Sequence, residues 1–172
     1  MIVYHPAFDL YHAVYRMILL LTHFKRDDYV EIDRLRIWDY YVLFPNRMGR
    51  IKISRTDNEI KTIIKTRIAT HIDNPYERIY DDKKMFEKIK TYQMTAIKCL
   101  ASYGIINKDY LALNKISVIS EDILKKYAGI DVSAQEHNAI GLLTSYFYFM
   151  PLYGPNGLKA RTQLIESKYD AE

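Results

Sequence analysis

The segment from Asp82 to Tyr103 constrains this chain more than any other. Met85, Phe86, Ile89, Tyr92, Ala96, Ile97, Leu100 and Tyr103 recur at three- and four-residue intervals. That spacing predicts one amphipathic helix with a single apolar face. Gly104 follows at once, where a glycine closes the last turn in the left-handed conformation without steric penalty. Such a helix runs for ~33 Å.

Helical spacing also governs Leu10 to Phe24, through Leu10, Ala13, Val14, Met17, Ile18, Leu21 and Phe24. Asp9 is the expected N-cap, and Pro6 bars helix before it. A second helix starts near Ile32, with Leu35, Trp38, Tyr41 and Val42 on one face, and Pro45 ends it. Asn46 to Arg55 reads as a loop or short extended segment. Thr56 and Glu59 have capping-box spacing before a helix striped by Ile60, Ile63, Ile64 and Ile68. Asn74-Pro75 marks a turn.

After Gly104 the character changes. Ile105-Ile106 and then Tyr110 to Ile119 are rich in β-formers, with Asn114-Lys115 as the expected tight turn of a hairpin. Ser120 is the expected cap of a short helix ending near Gly129, acidic at its start and basic at its end as the helix dipole favours. Ser133 and Glu136 form a second capping box before a helix reaching about Met150. Gly154 to Gly157 is a turn, and Leu158 to Glu166 a last short helix. The expected fold is mainly α (α+β): a single domain over residues 1–172, with a winged-helix-like unit and a short β-hairpin.

Composition bounds function largely by exclusion. Of 172 residues 49% are apolar and 27% charged, a globular balance that suits a chain of this length. Six glycines form neither GxxxxGK[ST] nor GxGxxG, so the usual nucleotide-phosphate cradles are absent. His5, His12, His23, His71 and His137 show no HExxH spacing and read as surface or cap-packed side chains. Cys99, the single cysteine, permits no internal disulfide and reads as an inert thiol on a helix. The N-terminal residues lack a basic region before an apolar core, and no apolar run nears the ~20 residues that span a bilayer. The expectation is a cytoplasmic protein without catalytic, cofactor or metal residues.

Two features remain. The formal charge is only +4, yet residues 45–67 carry seven cations against Asp57 and Glu59. The excess of this stretch exceeds that of the whole chain. Arg47, Arg50, Lys52, Arg55, Lys61 and Lys65 are therefore candidate contacts to DNA phosphates or to an acidic partner. No aromatic residue interleaves them, which disfavours stacking on single-stranded bases. The second feature is the run Tyr146-Phe147-Tyr148-Phe149-Met150-Pro151-Leu152-Tyr153. On a helix it is apolar nearly all round, so one face cannot satisfy it. Either the run is central core, or it is half core and half docking surface, which makes Tyr146, Phe147, Tyr148, Phe149 and Tyr153 candidate protein-interface residues.

Three motifs carry a resemblance: Tyr4-His5-Pro6-Ala7-Phe8-Asp9-Leu10-Tyr11-His12-Ala13 with Tyr15-Arg16-Met17, Arg34 through Pro45, and Gly154-Pro155-Asn156-Gly157-Leu158-Lys159. Together they resemble the middle components of ABC-three-component systems, of the fifth subfamily, and the similarity runs through the whole chain. Trp38 stands where the family is expected to have leucine or a similar apolar residue, a conservative departure. The resemblance implies a non-enzymatic accessory subunit of a bacterial anti-phage defence complex of the Lamassu type. Its implied partners are an SMC-like or Rad50-like ABC ATPase and an effector, with contact to duplex DNA inside the complex and self-association both left open. It also implies similarity to winged-helix accessory subunits of SMC complexes, and it brings no active-site residues. The rival reading is a stand-alone winged-helix DNA-binding regulator, for which the basic segment argues.

Overall fold

The computed structural model of the chain describes residues 4–24, 29–70 and 81–166. In chain order its elements are a 3-10 turn (Pro6–Phe8), α1 (Leu10–Leu21), β1 (Tyr29–Glu31), α2 (Ile32–Leu43) and a second 3-10 turn (Pro45–Arg50). Then come α3 (Asn58–Ile63), a π turn (Ile64–Ile68), α4 (Asp82–Ser102), α5 (Lys108–Ala112) and β2 (Lys115–Ser117). The last are α6 (Glu121–Lys125), α7 (Ala134–Leu143) and α8 (Leu158–Thr162). The fold is thus mainly α, with one two-stranded antiparallel element. The Asn74-Pro75 turn lies outside the described residues.

Local chemistry accounts for most helix ends. Asp9 caps α1 by accepting the His12 amide at 2.9 Å. Ser133 and Glu136 exchange both capping-box bonds at the start of α7. At the end of α4, Gly104 has φ +70 while the Ile105 amide reaches back to the Leu100 carbonyl at 3.0 Å, a Schellman closure. Tyr103 lies beyond that end and is 76% exposed, unlike Phe86, Ile89, Ala96, Ile97 and Leu100, which are buried.

Five expectations are corrected. Ser120 makes no side-chain capping bond at the start of α6. The Thr56 hydroxyl does not cap a helix: it is engaged with Ser54 and Asp57 in a turn, so α3 begins only after Asp57. The first part of the basic stretch, Pro45–Arg50, is a 3-10 turn rather than loop or strand, because proline at its start pre-sets φ, whereas residues 51–55 are irregular as expected. No hairpin turns at Asn114-Lys115. Asn107 caps α5 through the Asp109 amide (2.8 Å), which makes Tyr110 helical; β2 pairs with β1, far back in the chain, and the local pairing is an isolated antiparallel bridge from Ile106 to Val118 across α5. Finally, α7 stops at Leu143, not near Met150. The Thr144 and Ser145 hydroxyls occupy the Ile140 and Gly141 carbonyls at 2.8 and 2.6 Å, competing with helix continuation.

The chain divides into two compact units. The first comprises residues 1–39 and 88–131. Its fully enclosed side chains include Met17, Leu20 and Leu21 of α1, Leu35, Ile37 and Trp38 of α2, and Ile97 and Leu100 of α4. Within it the Phe24 ring meets Trp38 edge-on at 5.9 Å. Inside this apolar set sits a polar network. Arg16 grips Asp39 with two bonds of 2.7 and 3.1 Å. Gln93 donates to the same carboxylate at 2.9 Å and accepts from Arg36 at 3.1 Å. All four residues are buried, and the mutual bonding offsets the cost of removing them from water.

The second unit comprises residues 40–87 and 132–172. Tyr40, Met48, Ile68, Phe86, Leu143, Phe147 and Leu158 are fully buried in it. The Tyr40 ring packs against Phe44 at 5.1 Å and Phe86 at 5.9 Å. Helix α7 lies against the π turn, where the Gln135 side-chain amide donates to the Ile68 carbonyl at 2.6 Å and to Asn46 at 2.9 Å.

Candidate functional site

Both candidate surfaces belong to the second unit, and the structure sorts their residues by role. In the basic segment, Arg47 is buried with its Nε 3.6 Å from Asp82. Arg50, about half exposed, donates to the other oxygen of the same carboxylate at 3.0 Å. The Tyr40 hydroxyl donates to Asp82 at 2.7 Å. Burial and that bond push the Tyr40 phenol well above its ordinary range. Asp82, in the first turn of α4, therefore clamps the 3-10 turn, and Arg47 serves the interior rather than a partner. Sequence reading missed Asp82 because an acidic residue at a helix start reads first as a dipole partner.

The other cations face outward. Lys52, Arg55 and Lys65 are exposed and Lys61 is half-buried. The backbone of Lys52 is held by Arg161, whose carbonyl accepts the Lys52 amide (3.1 Å) and whose Nη1 donates to the Lys52 carbonyl (2.7 Å). The strip is thereby anchored while its side chains remain in water. A groove of about 300 Å³ opens beside it, lined by Met48, Gly49, Ile51, Ile53, Lys61, Ile64, Lys65 and Ala69.

The aromatic run is not helical. Residues 144–153 form successive turns, and the Phe147 amide bonds the Leu142 carbonyl at 3.2 Å. Phe147, Met150 and Leu152 are buried, whereas Phe149 is 83% and Tyr153 48% exposed. Tyr146 and Tyr148 are half-buried. Rings pair edge-on along the run, Tyr146 with Phe147 at 5.0 Å and Tyr148 with Phe149 at 5.1 Å. Irregular backbone thus splits the rings between core and water, a division that helical periodicity could not have delivered.

Two polar contacts brace this surface. The Tyr146 hydroxyl donates to Asp57, and burial together with this bond pushes its phenol up to about 12. The Lys159 ammonium stands 4.7 Å from the centre of the Tyr153 ring, a cation–π contact. The turn that follows needs its glycine: a Cβ on Gly157 would lie 2.1 Å from the Tyr153 carbonyl oxygen. That close approach lets Leu158 and Lys159 donate to the Pro151 and Leu152 carbonyls at 2.7 and 3.1 Å.

The remaining chemistry-bearing residues lie apart. His5 accepts the Ala7 amide through Nδ1 at 3.1 Å, capping the first 3-10 turn. Cys99 is half-buried on α4. Among the described residues no group of three or more His, Cys, Asp or Glu side chains is placed to hold a metal ion. No described helix is long and apolar enough to cross a membrane. The arrangement offers docking chemistry: exposed cations around an apolar groove, and exposed rings on a braced turn. A family model described as ABC-three component (ABC-3C) system Middle Component 5 matches residues 2–170. No curated protein and no solved structure matches the chain.

Proposed function

Because the chain belongs to the ABC-three-component system Middle Component 5 family, we propose that it is a non-enzymatic accessory subunit of a bacterial anti-phage defence complex. In this reading it binds an SMC-like or Rad50-like ABC ATPase in the cytoplasm and links that ATPase's sensing of DNA to an effector. The observation that carries the reading beyond the family is the exposure of Phe149 and Tyr153 beside the buried Phe147, Met150 and Leu152. Large rings held in water by a rooted turn gain free energy when a partner covers them, and aromatic residues are enriched at the buried centres of such interfaces.

Co-expression with the neighbouring ATPase tests the proposal. A stable complex on a sizing column is expected, weakened at least tenfold in Kd by Phe149→Ser with Tyr153→Ser. Clean separation of the two wild-type proteins would end it. The second reading, a stand-alone winged-helix regulator of DNA, draws on the exposed Lys52, Arg55 and Lys65. It expects the isolated chain to retard duplex DNA with an affinity that falls steeply as salt rises. Charge reversal at Arg50 and Arg55 would then abolish the shift. The burial of Arg47 against Asp82 removes one of the six cations that favoured it.

A further inference from the structure

We infer that the groove between the 3-10 turn and the π turn is a docking site for an acidic, apolar segment of a protein partner. One large apolar side chain would sit in the groove, and flanking carboxylates would meet Lys61 and Lys65. The inference deepens the accessory reading and rests on it for the existence of a partner, but not for the chemistry.

Three observations converge. The first is the shape and lining of the groove. Met48, Ile51 and Ile64 are buried, Ile53 is half-buried at its side, and the space of about 300 Å³ sits at the small end of ligand pockets. That volume suits one or two side chains, not an extended cofactor.

The second is the backbone. Helix α3 widens into a π turn, in which the Ala69 amide bonds the Ile64 carbonyl at 2.7 Å. π geometry is rare, is less favourable than α geometry, and is found most often at functional sites. Here the widened turn supplies Ile64, Lys65 and Ala69 to the groove wall.

The third is charge. Lys61 and Lys65 stand four residues apart on this helical stretch, and among the described residues neither has a carboxylate within ion-pair distance. Asp82 is occupied by Arg47 and Arg50, and Asp57 accepts from Tyr146. Among the described residues these two lysines are therefore left without a carboxylate partner. A bare phosphate would leave the isoleucine and methionine lining in water, and a nucleobase would find no ring to stack on among the lining residues. An acidic peptide with an apolar side chain answers both halves of the site.

The test uses the isolated full-length chain and fluorescein-labelled peptides carrying a central leucine–phenylalanine, leucine–leucine or methionine–phenylalanine pair flanked by glutamates. Binding is read by anisotropy. At least one peptide is expected to bind, with affinity reduced tenfold or more by an alanine-alanine centre. The same loss is expected from Lys61→Gln with Lys65→Gln, or from Ile53→Glu, provided that circular dichroism shows the variants folded. Peptide-induced amide shifts in the 48–53 and 61–69 segments give a second readout on the unmutated protein. Overturning results are an all-glutamate peptide that binds equally well, the absence of binding by every peptide, or shifts confined to other segments. Retardation of duplex DNA through the same lysines with no peptide binding would also overturn the inference. An intact ATPase complex with no peptide binding defeats this inference alone. Peptide binding without any ATPase complex defeats the accessory reading alone.

Discussion

Replacing Asp39 with alanine should cost more than any other single change in the first unit. The carboxylate is fully buried and accepts three hydrogen bonds, two from the Arg16 guanidinium and one from Gln93. Truncation leaves Arg16, itself 6% exposed, as a charge without its carboxylate, and frees the donor of Gln93. Breaking one side of such a pair costs about 3–5 kcal/mol, because the surviving ion keeps its desolvation penalty and loses its compensation. Against a total stability of roughly 5–15 kcal/mol, that is a third or more. For a chain of this size it lowers Tm by on the order of 10 °C. Urea melts followed by circular dichroism measure the cost in Asp39→Ala, in Arg16→Met, and in the double variant Arg16→Met with Asp39→Leu. The double variant removes both charges and restores apolar volume, so, with the Asp39→Leu single measured alongside, it should be less destabilised than the sum of Arg16→Met and Asp39→Leu by about 2 kcal/mol. If Asp39→Ala costs less than about 1 kcal/mol, or the single costs simply add, the network does not act as a coupled buried pair and the reasoning fails.

Other outcomes follow from local geometry. Ser133→Ala removes the hydroxyl that accepts the Glu136 amide, and should cost about 1 kcal/mol in the urea midpoint, with faster amide exchange at Gln135 and Glu136; an unchanged midpoint would contradict the capping box. Gly104 has φ +70 with open space where a Cβ would go, so Gly104→Ala should lose about 1 kcal/mol from backbone strain alone, and Gly104→Asn less; equal melting temperatures would refute this. Tyr146 titrates at about 12 in the folded chain and near 10 when unfolded. Its contribution to stability is therefore complete below pH ~10 and declines as pH rises toward 12. The stability gap between wild type and Tyr146→Phe should narrow across that window, and a gap independent of pH would show that the Asp57 bond does not hold the proton.

What could be read in advance was whatever neighbours in sequence decide. Asp9, Ser133 and Gly104 set helix ends by bonds or backbone angles within a few residues, and the stripes of α1, α2 and α4 announce themselves because i, i+3 and i+4 lie on one face. Tertiary structure alone decided which distant groups meet. Lys115–Ser117 pairs along its length with Tyr29–Glu31, far back in the chain, while the residues just before α5 meet it through the Ile106–Val118 bridge, and no composition rule names a strand's partner. Asp82 reaches back to Arg47 and Arg50, turning one cation inward. That Lys61 and Lys65 beside the groove have no carboxylate partner among the described residues became visible only once those neighbouring carboxylates were assigned. Hydropathy is one-dimensional: it left open whether the rings from Tyr146 to Tyr153 were all core or shared with a surface, and only the path of the backbone placed Phe147 inside and Phe149 in water. Each ion pair or strand register is worth little by itself and has many equivalent candidates along the chain, so the choice among them belongs to the packed whole.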